Sequence, residues 1–345
     1  MTENFEDEFE ESDDLFEHYK IEVGLGQGAE RIDKFLIDRL ANTSRNRLQA
    51  AAKSGFIKAN GIVVKQNYRV KPGDVITMEL PHPVREMELL PEDIPLNIVY
   101  EDDEVVIINK QSGLVVHPGS GNYTGTLVNG LLYHFENLPN VSNSEYMRPG
   151  LVHRIDKKTT GLMVIAKTDE GLSNLSNQFF EHTVERRYMA LVWGDVEADG
   201  TVIGSIGRSA KHRKLMDVYT TGTYGKHAVT HYKVIERFGY VTLIECKLET
   251  GRTHQIRVHM KHIGHTLFCD EDYGGDKIMK GPSFSKYQQF VKNCFDMLQR
   301  QALHARSLGF KHPKTGEWMH FESELPEDMK NVLEKWRGFA ATARQ

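Results

Sequence analysis

The stretch LVHRIDKKTTGLMVIAK, residues 151–167, places a group of charged side chains between two apolar segments. Its first two residues begin like a buried strand, and Gly161–Ala166 predicts a second strand. One carboxylate, Asp156, lies in the loop between them, beside a histidine, an arginine and two lysines. The loop is therefore either a surface turn in which Arg154 pairs with Asp156, or part of a site where an ionised carboxylate acts on an anionic substrate.

A second segment, LETGRTHQIR at residues 248–257, also mixes glycine, arginine and polar side chains, which favours a site. Four histidines in and after it raise the possibility of a metal centre; they are His254, His259, His262 and His265. The HExxH pattern is absent, and on a helix His254 would point away from His259. We therefore expect these histidines to pack locally or to contact phosphate, and we expect no bound metal.

The composition indicates an ordinary folded protein. The chain has 345 residues and 39% hydrophobic content, enough for one large domain or two smaller ones. No apolar run approaches the roughly 20 residues of a membrane helix, and no signal peptide is recognisable, so a cytoplasmic protein without membrane contact is expected. Three cysteines without close pairing argue against disulfides and against a cysteine-based zinc site.

The N-terminal part shows a sharp contrast of charge. Residues 1–20 are strongly acidic and predict a flexible tail. Residues 31–73 hold ten Lys or Arg against two acids, which favours a polyanion partner over a merely solvated charged face. Cations on a compact helical motif suit RNA or DNA phosphates. The candidate contact residues are Arg31, Ser44, Arg45, Arg47 and Lys53.

Local patterns in this basic segment predict two short helices followed by short strands. Ser44 is expected to cap the second helix and Gly55 to end it. Asn60-Gly61 predicts a hairpin and Pro72-Gly73 another turn. A glycine pattern at residues 24–28 is spaced GxGxG rather than GxGxxG, which argues against a dinucleotide site.

The remainder of the chain predicts an α+β domain with a mixed, mainly antiparallel sheet. We assign residues 21–82 to the basic module, 83–95 to a proline-containing linker and 96–345 to the larger domain. Helices are expected near Leu127–Phe135, Glu170–Phe180, Thr253–His262 and Ser285–Leu298. Strands are expected at Val164–Ala166, Tyr188–Trp193, Ala228–Ile235, Tyr240–Leu248 and Arg306–Phe310.

Several of these segments resemble the RluA-type pseudouridine synthases. HRIDKKTTGLMVIAK is similar to their HRLDxxTSGLxxxAK signature, and RRYMALVWG to their KxYxAxVxG strand. LETGRTHQIRVHMKHIGHTLFCDEDYGG is similar to a third block, and RQALHARSLGFKHPKTGE to their closing strands. The match covers roughly residues 96–325. The basic module, with SRNRLQAAAKSGFIKANG, resembles an S4 RNA-binding domain, which points to the ribosomal large-subunit branch typified by RluC and RluD.

The resemblance implies a pseudouridine-synthase fold and an isomerase that needs no cofactor. It implies that Asp156 is the catalytic aspartate, which attacks the ribose C1′, attacks the uracil ring or abstracts a 2′ proton. Tyr188 matches the tyrosine that stacks on the base, and Arg252 the basic residue that pairs with the aspartate. The substrate-binding residues implied are Arg154, which helps displace the nucleotide, Leu267, which walls the base pocket, and His153, which belongs to the same motif.

The expected partner is RNA, with 23S ribosomal RNA or a precursor of the large subunit favoured over transfer RNA, and the expected state is a monomer. Two other functions remain open on the sequence. One is a non-catalytic RNA-binding factor in ribosome assembly. The other is a histidine-dependent metal hydrolase, which would contain zinc.

Overall fold

The computed structural model describes residues 16–40, 45–80, 89–119, 122–140, 148–210, 212, 215–220 and 224–343. The chain divides into two compact units, residues 1–88 and 89–345. Residues 83–88 of the predicted linker at 83–95 and residues 1–15 of the predicted acidic tail lie outside the described residues.

The first unit is a four-stranded antiparallel sheet with two short helices. The elements are β1 (Phe16–Glu22), α1 (Ile32–Ile37), α2 (Arg45–Lys53), β2 (Ile57–Ala59), β3 (Ile62–Val63) and β4 (Val75–Leu80), and the strand order is β1-β4-β2-β3. Its core forms because α1 repeats apolar residues at helical spacing, so that Ile32, Phe35 and Leu36 bury against strand residues such as Ile57 and Ile76.

The predicted turns of this unit are confirmed. Asn60 and Gly61 both have positive φ angles, 52° and 77°, and they join β2 to β3 as a two-residue hairpin requires. Gly55, at φ 79°, follows the end of α2. Ser44 lies outside the described residues. One expectation is wrong: β1 begins at Phe16 and pairs with β4, so residues 16–20 are strand and not tail.

The second unit is built on a ten-stranded mixed sheet, which confirms the α+β class. Its strands are β5 (Ile98–Glu101), β6 (Val105–Lys110), β7 (Thr160–Ala166), β8 (Glu185–Trp193), β9 (Gly200–Arg208), β10 (Met216–Tyr219), β11 (Lys226–Arg237), β12 (Val241–Leu248), β13 (Leu303–Lys311) and β14 (Trp318–Glu322). The order is β10-β9-β11-β12-β8-β13-β7-β6-β5, with β14 on β13. Only the β7–β13 pair is parallel among the described strands.

Helices lie against both faces of this sheet. They are α3 (Leu127–His134), α4 (Asp169–Phe180), α5 (Gln255–His262), α6 (Ser285–Met297) and α7 (Glu327–Ala343). The central strand β8 alternates between two cores: Tyr188 packs in the cluster that contains α5, whereas Met189 packs in the cluster that contains α6 and α7. Among the described residues, no helix is long and apolar enough to cross a membrane.

Candidate active site

A cavity of about 250 Å³ opens on the α5 side of the sheet. It collects residues from the two segments that the sequence analysis singled out, together with the start of β8. The lining residues with polar or charged side chains are His153, Arg154, Asp156, Thr159, His182, Arg186, Tyr188, Arg252, His254, Gln255 and Arg257.

The loop that carries Asp156 is held by the backbone on both sides. The Thr159 N–H donates to the carbonyl of Asp156 at 3.0 Å and closes a turn. The Gly113 N–H and the Lys110 ammonium both donate to the carbonyl of Lys157, at 2.9 and 3.0 Å. These bonds fix the carboxylate, whose side chain is only 20% exposed, at the cavity.

Lys110 has an unusual environment because its side chain is buried. Besides Lys157, its ammonium donates to the carbonyls of Gln111 and Leu114, at 2.8 and 3.0 Å. Burial lowers the pKa of Lys110 to about 7, and the attraction of Asp156 offsets part of this fall. Lys110 therefore ties the loop after β6 to the loop of Asp156.

The cation that faces Asp156 is Arg257, not Arg252 or Arg154. Arg257 Nη1 lies 3.2 Å from Asp156 Oδ2, and the same guanidinium binds Asp270 through two bonds of 2.7 Å. A third carboxylate, Asp272, accepts from Nη2 at 2.5 Å. Burial alone would lower the pKa of Arg257, but the three carboxylates outweigh it and raise the pKa above its ordinary value.

The predicted pairing of Arg252 with the aspartate is therefore wrong, and the start of α5 explains why. Arg252 precedes the helix, and its Nε donates to the carbonyl of His227 on β11 at 3.1 Å, which holds it at the cavity wall. Arg257 lies within α5 and points into the buried interior. The two arginines differ because Arg257 is buried within α5, whereas Arg252 lies in the loop before the helix.

Gln255, the first residue of α5, fixes the loop that carries Arg252 and the start of the helix. Its buried amide oxygen accepts from the Thr250 hydroxyl and the Arg252 N–H, at 2.8 and 3.0 Å. Its amide nitrogen donates to the Val229 carbonyl and the Thr230 hydroxyl, at 2.9 and 3.0 Å. Four bonds from one side chain thus pin the loop at 250–254 to β11.

His254 lies next to the carboxylate. It has a positive φ of 56° just before α5, and its Nε2 lies 4.0 Å from Asp156 Oδ1. Its Nδ1 is 2.9 Å from the Tyr273 hydroxyl, whose oxygen also accepts from the Met216 N–H. Burial lowers the pKa of His254, and the neighbouring Asp156 opposes that fall.

Tyr188 lines the cavity, as predicted, and is nearly buried. Burial raises the pKa of its phenol, Arg186 opposes that rise and Asp156 adds to it. The apolar wall beside it comes from Ile155, Leu248, Ile256 and Leu303. Tyr188 therefore offers an aromatic surface with a protonated hydroxyl at neutral pH.

Leu267 does not line the cavity, so its predicted place in the wall is wrong. Its backbone forms a bridge with Val192, and its side chain is completely buried in the core below. Leu248, at the end of β12, and Leu303, at the start of β13, occupy the wall instead, one on each side of β8.

His153 and Arg154 both line the cavity, but they differ in exposure. The His153 ring stacks on Phe179, with centroids 4.6 Å apart, and its Nε2 accepts from the Val164 N–H at 3.1 Å. Burial lowers the pKa of His153 to about 3, so its ring is neutral. Arg154 is exposed at the mouth, where it can reach a bound polymer.

Two of the remaining histidines of this region, His259 and His265, have structural partners. His259 Nδ1 lies 2.9 Å from the Thr230 hydroxyl, and His265 Nδ1 lies 2.9 Å from the Trp193 carbonyl. Within the described ranges, no three His, Cys, Asp or Glu side chains are grouped as metal ligands would be.

Of the predicted RNA-binding residues in the first unit, two can be located by their side chains. Arg31 donates to the buried Asp33 through two bonds, of 3.0 and 2.9 Å, and remains 40% exposed. Lys53 is exposed at the end of α2. Arg45 and Arg47 lie in α2, but the described part of the chain does not include their side chains, nor any of Ser44.

No role at the site was predicted from the sequence for Arg186, Gln255 and Asp270, and the pairing with Asp156 was assigned to Arg252 rather than to Arg257. Arg257 lies in the quoted segment 248–257, three residues before the apolar Met260, so helical spacing could have placed it on the buried side of the helix. Nothing in the sequence singles out Asp270, because its partner Arg257 comes next to it only when the chain folds.

Comparison with known proteins agrees with this geometry. Residues 104–262 match the family described as RNA pseudouridylate synthase, and residues 30–76 match the S4 domain. An uncharacterized RNA pseudouridine synthase of Chlorobaculum parvum is 47% identical over 92% of this chain and 97% of its own length.

Two further comparisons extend this result. The ribosomal large subunit pseudouridine synthase D of Pseudomonas aeruginosa is 43% identical over 90% of this chain and 93% of its own. The structure of human RNA Pseudouridylate Synthase Domain Containing 1 superposes with a TM-score of 0.50 and 22% identity, over 71% of this chain and 96% of its own, which supports the fold. The chain belongs to the RNA pseudouridylate synthase family and carries an S4 domain in its N-terminal part.

Proposed function

We propose that this RNA pseudouridine synthase modifies uridines of large-subunit ribosomal RNA and that Asp156 is the side chain that acts on the target nucleoside. The observation that carries the catalytic part is the Asp156–Arg257 contact of 3.2 Å inside a cavity walled by Tyr188. The ribosomal part is supported by the relatives named ribosomal large subunit pseudouridine synthase D, such as the one from Pseudomonas aeruginosa.

The reaction is an isomerisation, so the atoms of substrate and product balance without a co-substrate. The bond from uracil N1 to the ribose C1′ breaks, the base turns, and C5 bonds to C1′ while the C5 proton moves to solvent and N1 gains one. Asp156 can attack C1′, attack the ring or remove the 2′ proton, and each role requires an ionised carboxylate next to the ribose. Arg257 holds that carboxylate in place.

The target base has to leave its stack before it can enter the cavity. Unstacking costs a few kcal/mol, which contact with an aromatic surface and cationic side chains offsets. In this proposal Tyr188 supports the base, His153 and Arg154 contact the nucleotide, and Arg252 faces it from the loop before α5. The S4 domain adds phosphate contacts through Arg31, Ser44, Arg45, Arg47 and Lys53.

A direct test is a map of pseudouridines in total RNA from cells with and without this protein, read by carbodiimide modification and primer extension. We expect sites in 23S ribosomal RNA to disappear without it. Loss of sites in transfer RNA alone would contradict the proposed substrate. We further propose that the enzyme works as a monomer in the cytoplasm; light scattering that gave twice the mass of 39.4 kDa would contradict the monomer.

Asp156→Asn tests the catalytic assignment. The amide keeps the size of the side chain but cannot act as a nucleophile or base, so we expect turnover to fall at least about a thousandfold while RNA affinity stays within about threefold. Asp195→Asn, at an exposed pair with Arg237, is the matched control and should retain full turnover. Turnover by purified Asp156→Asn would contradict the assignment, and an inactive wild-type protein that still binds RNA would favour an assembly factor.

A further inference from the structure

Arg186 is a buried cation without a counter-charge. Arg186 is the second residue of β8, two residues before Tyr188, and its side chain lines the same cavity. The residue is only 7% exposed. Its guanidinium makes no hydrogen bond or ion pair with any described residue, and its Nε is a buried donor without a partner.

The surroundings of Arg186 offer no anion in the described part of the chain. Its guanidinium carbon lies 5.5 Å from the centre of the Phe179 ring, and the neighbouring His153 ring is neutral because burial lowers the pKa of His153 to about 3. Burial lowers the pKa of Arg186 itself, and only Tyr188 opposes that change. An arginine remains charged even so, because its ordinary pKa is far above neutral.

The chain also leaves space for this side chain. A Cβ on Gly251 would lie 2.6 Å from Arg186 Nη1, so any other residue at that position would displace the guanidinium. Gly251 belongs to the loop that Gln255 pins to β11, and it lies next to Arg252. The absence of a side chain at Gly251 in the loop before α5 therefore leaves room for the Arg186 guanidinium beside the cavity.

An ionised group without a partner in the interior is costly, and buried charges in proteins are usually paired. The adjacent Arg187 shows the usual arrangement. It points to the other face of β8 and donates to Glu245 at 2.8 Å. Arg186 thus has the burial of a structural arginine but not its carboxylate.

We propose that Arg186 binds a phosphodiester group of the RNA next to the extruded uridine and so holds the nucleotide over Asp156. A phosphodiester fits because it carries a full negative charge and presents two oxygens to the planar fork of a guanidinium. A uracil carbonyl is neutral and would leave the buried charge uncompensated. This inference rests on the RNA substrate of the proposed function and assigns one anion subsite within it.

The first experiment needs no RNA. Arg186→Met removes an uncompensated buried charge, so the RNA-free variant should melt about 2–4 °C higher than the wild type. Arg187→Met, which breaks a formed ion pair on the same strand, should not raise the melting temperature. A lower melting temperature for Arg186→Met would mean that the arginine stabilises the fold, and it would overturn the proposal.

The second experiment pairs each protein with RNA in which one phosphodiester beside the target uridine, 5′ or 3′, is replaced by a neutral methylphosphonate. For wild type and for Arg187→Met, the replacement at one of the two positions should lower kcat/KM about 10- to 100-fold. For Arg186→Met, kcat/KM on the unmodified RNA should already be about 10- to 100-fold below that of the wild type. The methylphosphonate at the same position should not lower it further.

If the methylphosphonate lowers the kcat/KM of Arg186→Met further at both the 5′ and the 3′ position, the effects of the variant and of the replacement are independent, and the proposal is overturned. If Arg186→Met changes kcat only at alkaline pH, the proposal is also overturned, because Arg186 would then act through the Tyr188 hydroxyl. The substrate in this experiment is a fragment of large-subunit ribosomal RNA that contains the target uridine. If the wild type fails to act on the fragment without methylphosphonate, the proposed substrate is wrong. The melting comparison then still tests whether Arg186 is an uncompensated charge.

Discussion

At the scale of single residues, the site depends on how one arginine distributes its bonds. Arg257 faces Asp156, Asp270 and Asp272 at once, and its side chain is only 3% exposed. One cation among three carboxylates serves two purposes. The bonds to Asp270 fix the guanidinium, and the Nη1 donor orients Asp156, the carboxylate of the proposed chemistry.

Arg257→Gln should separate these purposes when it is combined with a change at Asp270. Alone, it leaves Asp270 charged and unpaired in the interior, so we expect a loss of about 3 kcal/mol or more in the free energy of unfolding and a large loss of turnover. The double variant Arg257→Gln/Asp270→Asn should recover part of the stability and none of the turnover. Urea unfolding and a pseudouridine assay measure both, and recovery of turnover in the double variant would contradict a role for Arg257 at Asp156.

At the scale of elements, the position of Asp156 depends on the parallel join of β7 to β13. Gly161 pairs with Ala305 there and has a φ of 117°. A Cβ on Gly161 would lie 2.2 Å from the Ala305 carbonyl oxygen. Glycine is therefore needed both for the backbone conformation and for the close approach of the two strands.

Gly161→Ala should destabilise the protein by about 3 kcal/mol or more because β7 has to move away from β13. Gly239→Ala is the matched control: φ is 86° at that turn, but no atom lies within 4 Å of the added Cβ. We expect the control to lose only about 1 kcal/mol. Equal losses in thermal or urea unfolding would mean that conformation alone, and not the close approach, requires glycine at 161.

The turn that precedes β4 predicts a pH dependence. Burial would raise the pKa of Asp74, but hydrogen bonds from the Lys71 N–H and from the side chains of Tyr68 and Asn60 outweigh it and lower the pKa. A carboxyl group with a lowered pKa stabilises the folded state above its ordinary pKa of about 4, and this contribution is lost as the pH falls through the folded value.

Amide hydrogen exchange of residues 57–76 should report this loss. In the full chain, protection at these amides should fall as the pH is lowered below about 4. Asp74→Asn should show lower protection at pH 7 and little further change with acid. A variant with wild-type protection at pH 7 would show that the three hydrogen bonds to Asp74 do not stabilise this turn.

At the scale of the whole molecule, the proposed function assigns RNA contacts to both units. The first unit has its own core and an exposed set of cations that includes Lys34, Lys53, Lys65, Arg69 and Lys71. The second contains the cavity. Phosphate contacts supply affinity that depends on salt, and in the proposed function the cavity receives the target base.

Removal of residues 1–88 should weaken RNA binding and make it less dependent on salt. Each lost phosphate contact should reduce the slope of log K against log salt by about 0.7–0.9. A control truncation of residues 1–15 removes eight acidic residues and no Lys or Arg, and it should not weaken binding. Titrations at several salt concentrations measure the slope, and an unchanged slope after removal of residues 1–88 would refute the role of the S4 domain.

Local pattern was sufficient to predict most elements of this chain. Helical periodicity located α4 within one residue at its start, because Leu172 and Leu175 repeat on one buried face. Turn chemistry located the hairpin at Asn60-Gly61. Strand β1 was missed because it follows directly on an acidic run, and α7 because its apolar residues, such as Trp336, show their partners only in the folded core.

The sequence by itself determined the fold class, the basic module and the position of Asp156 just before the buried strand β7, since all three follow from short-range pattern. The tertiary structure alone decided which arginine faces Asp156, which leucines wall the cavity and that Arg186 has no counter-charge. The physical reason is distance along the chain. Asp156 and Arg257 are 101 residues apart, so their contact depends on the packing of α5 and not on any local preference.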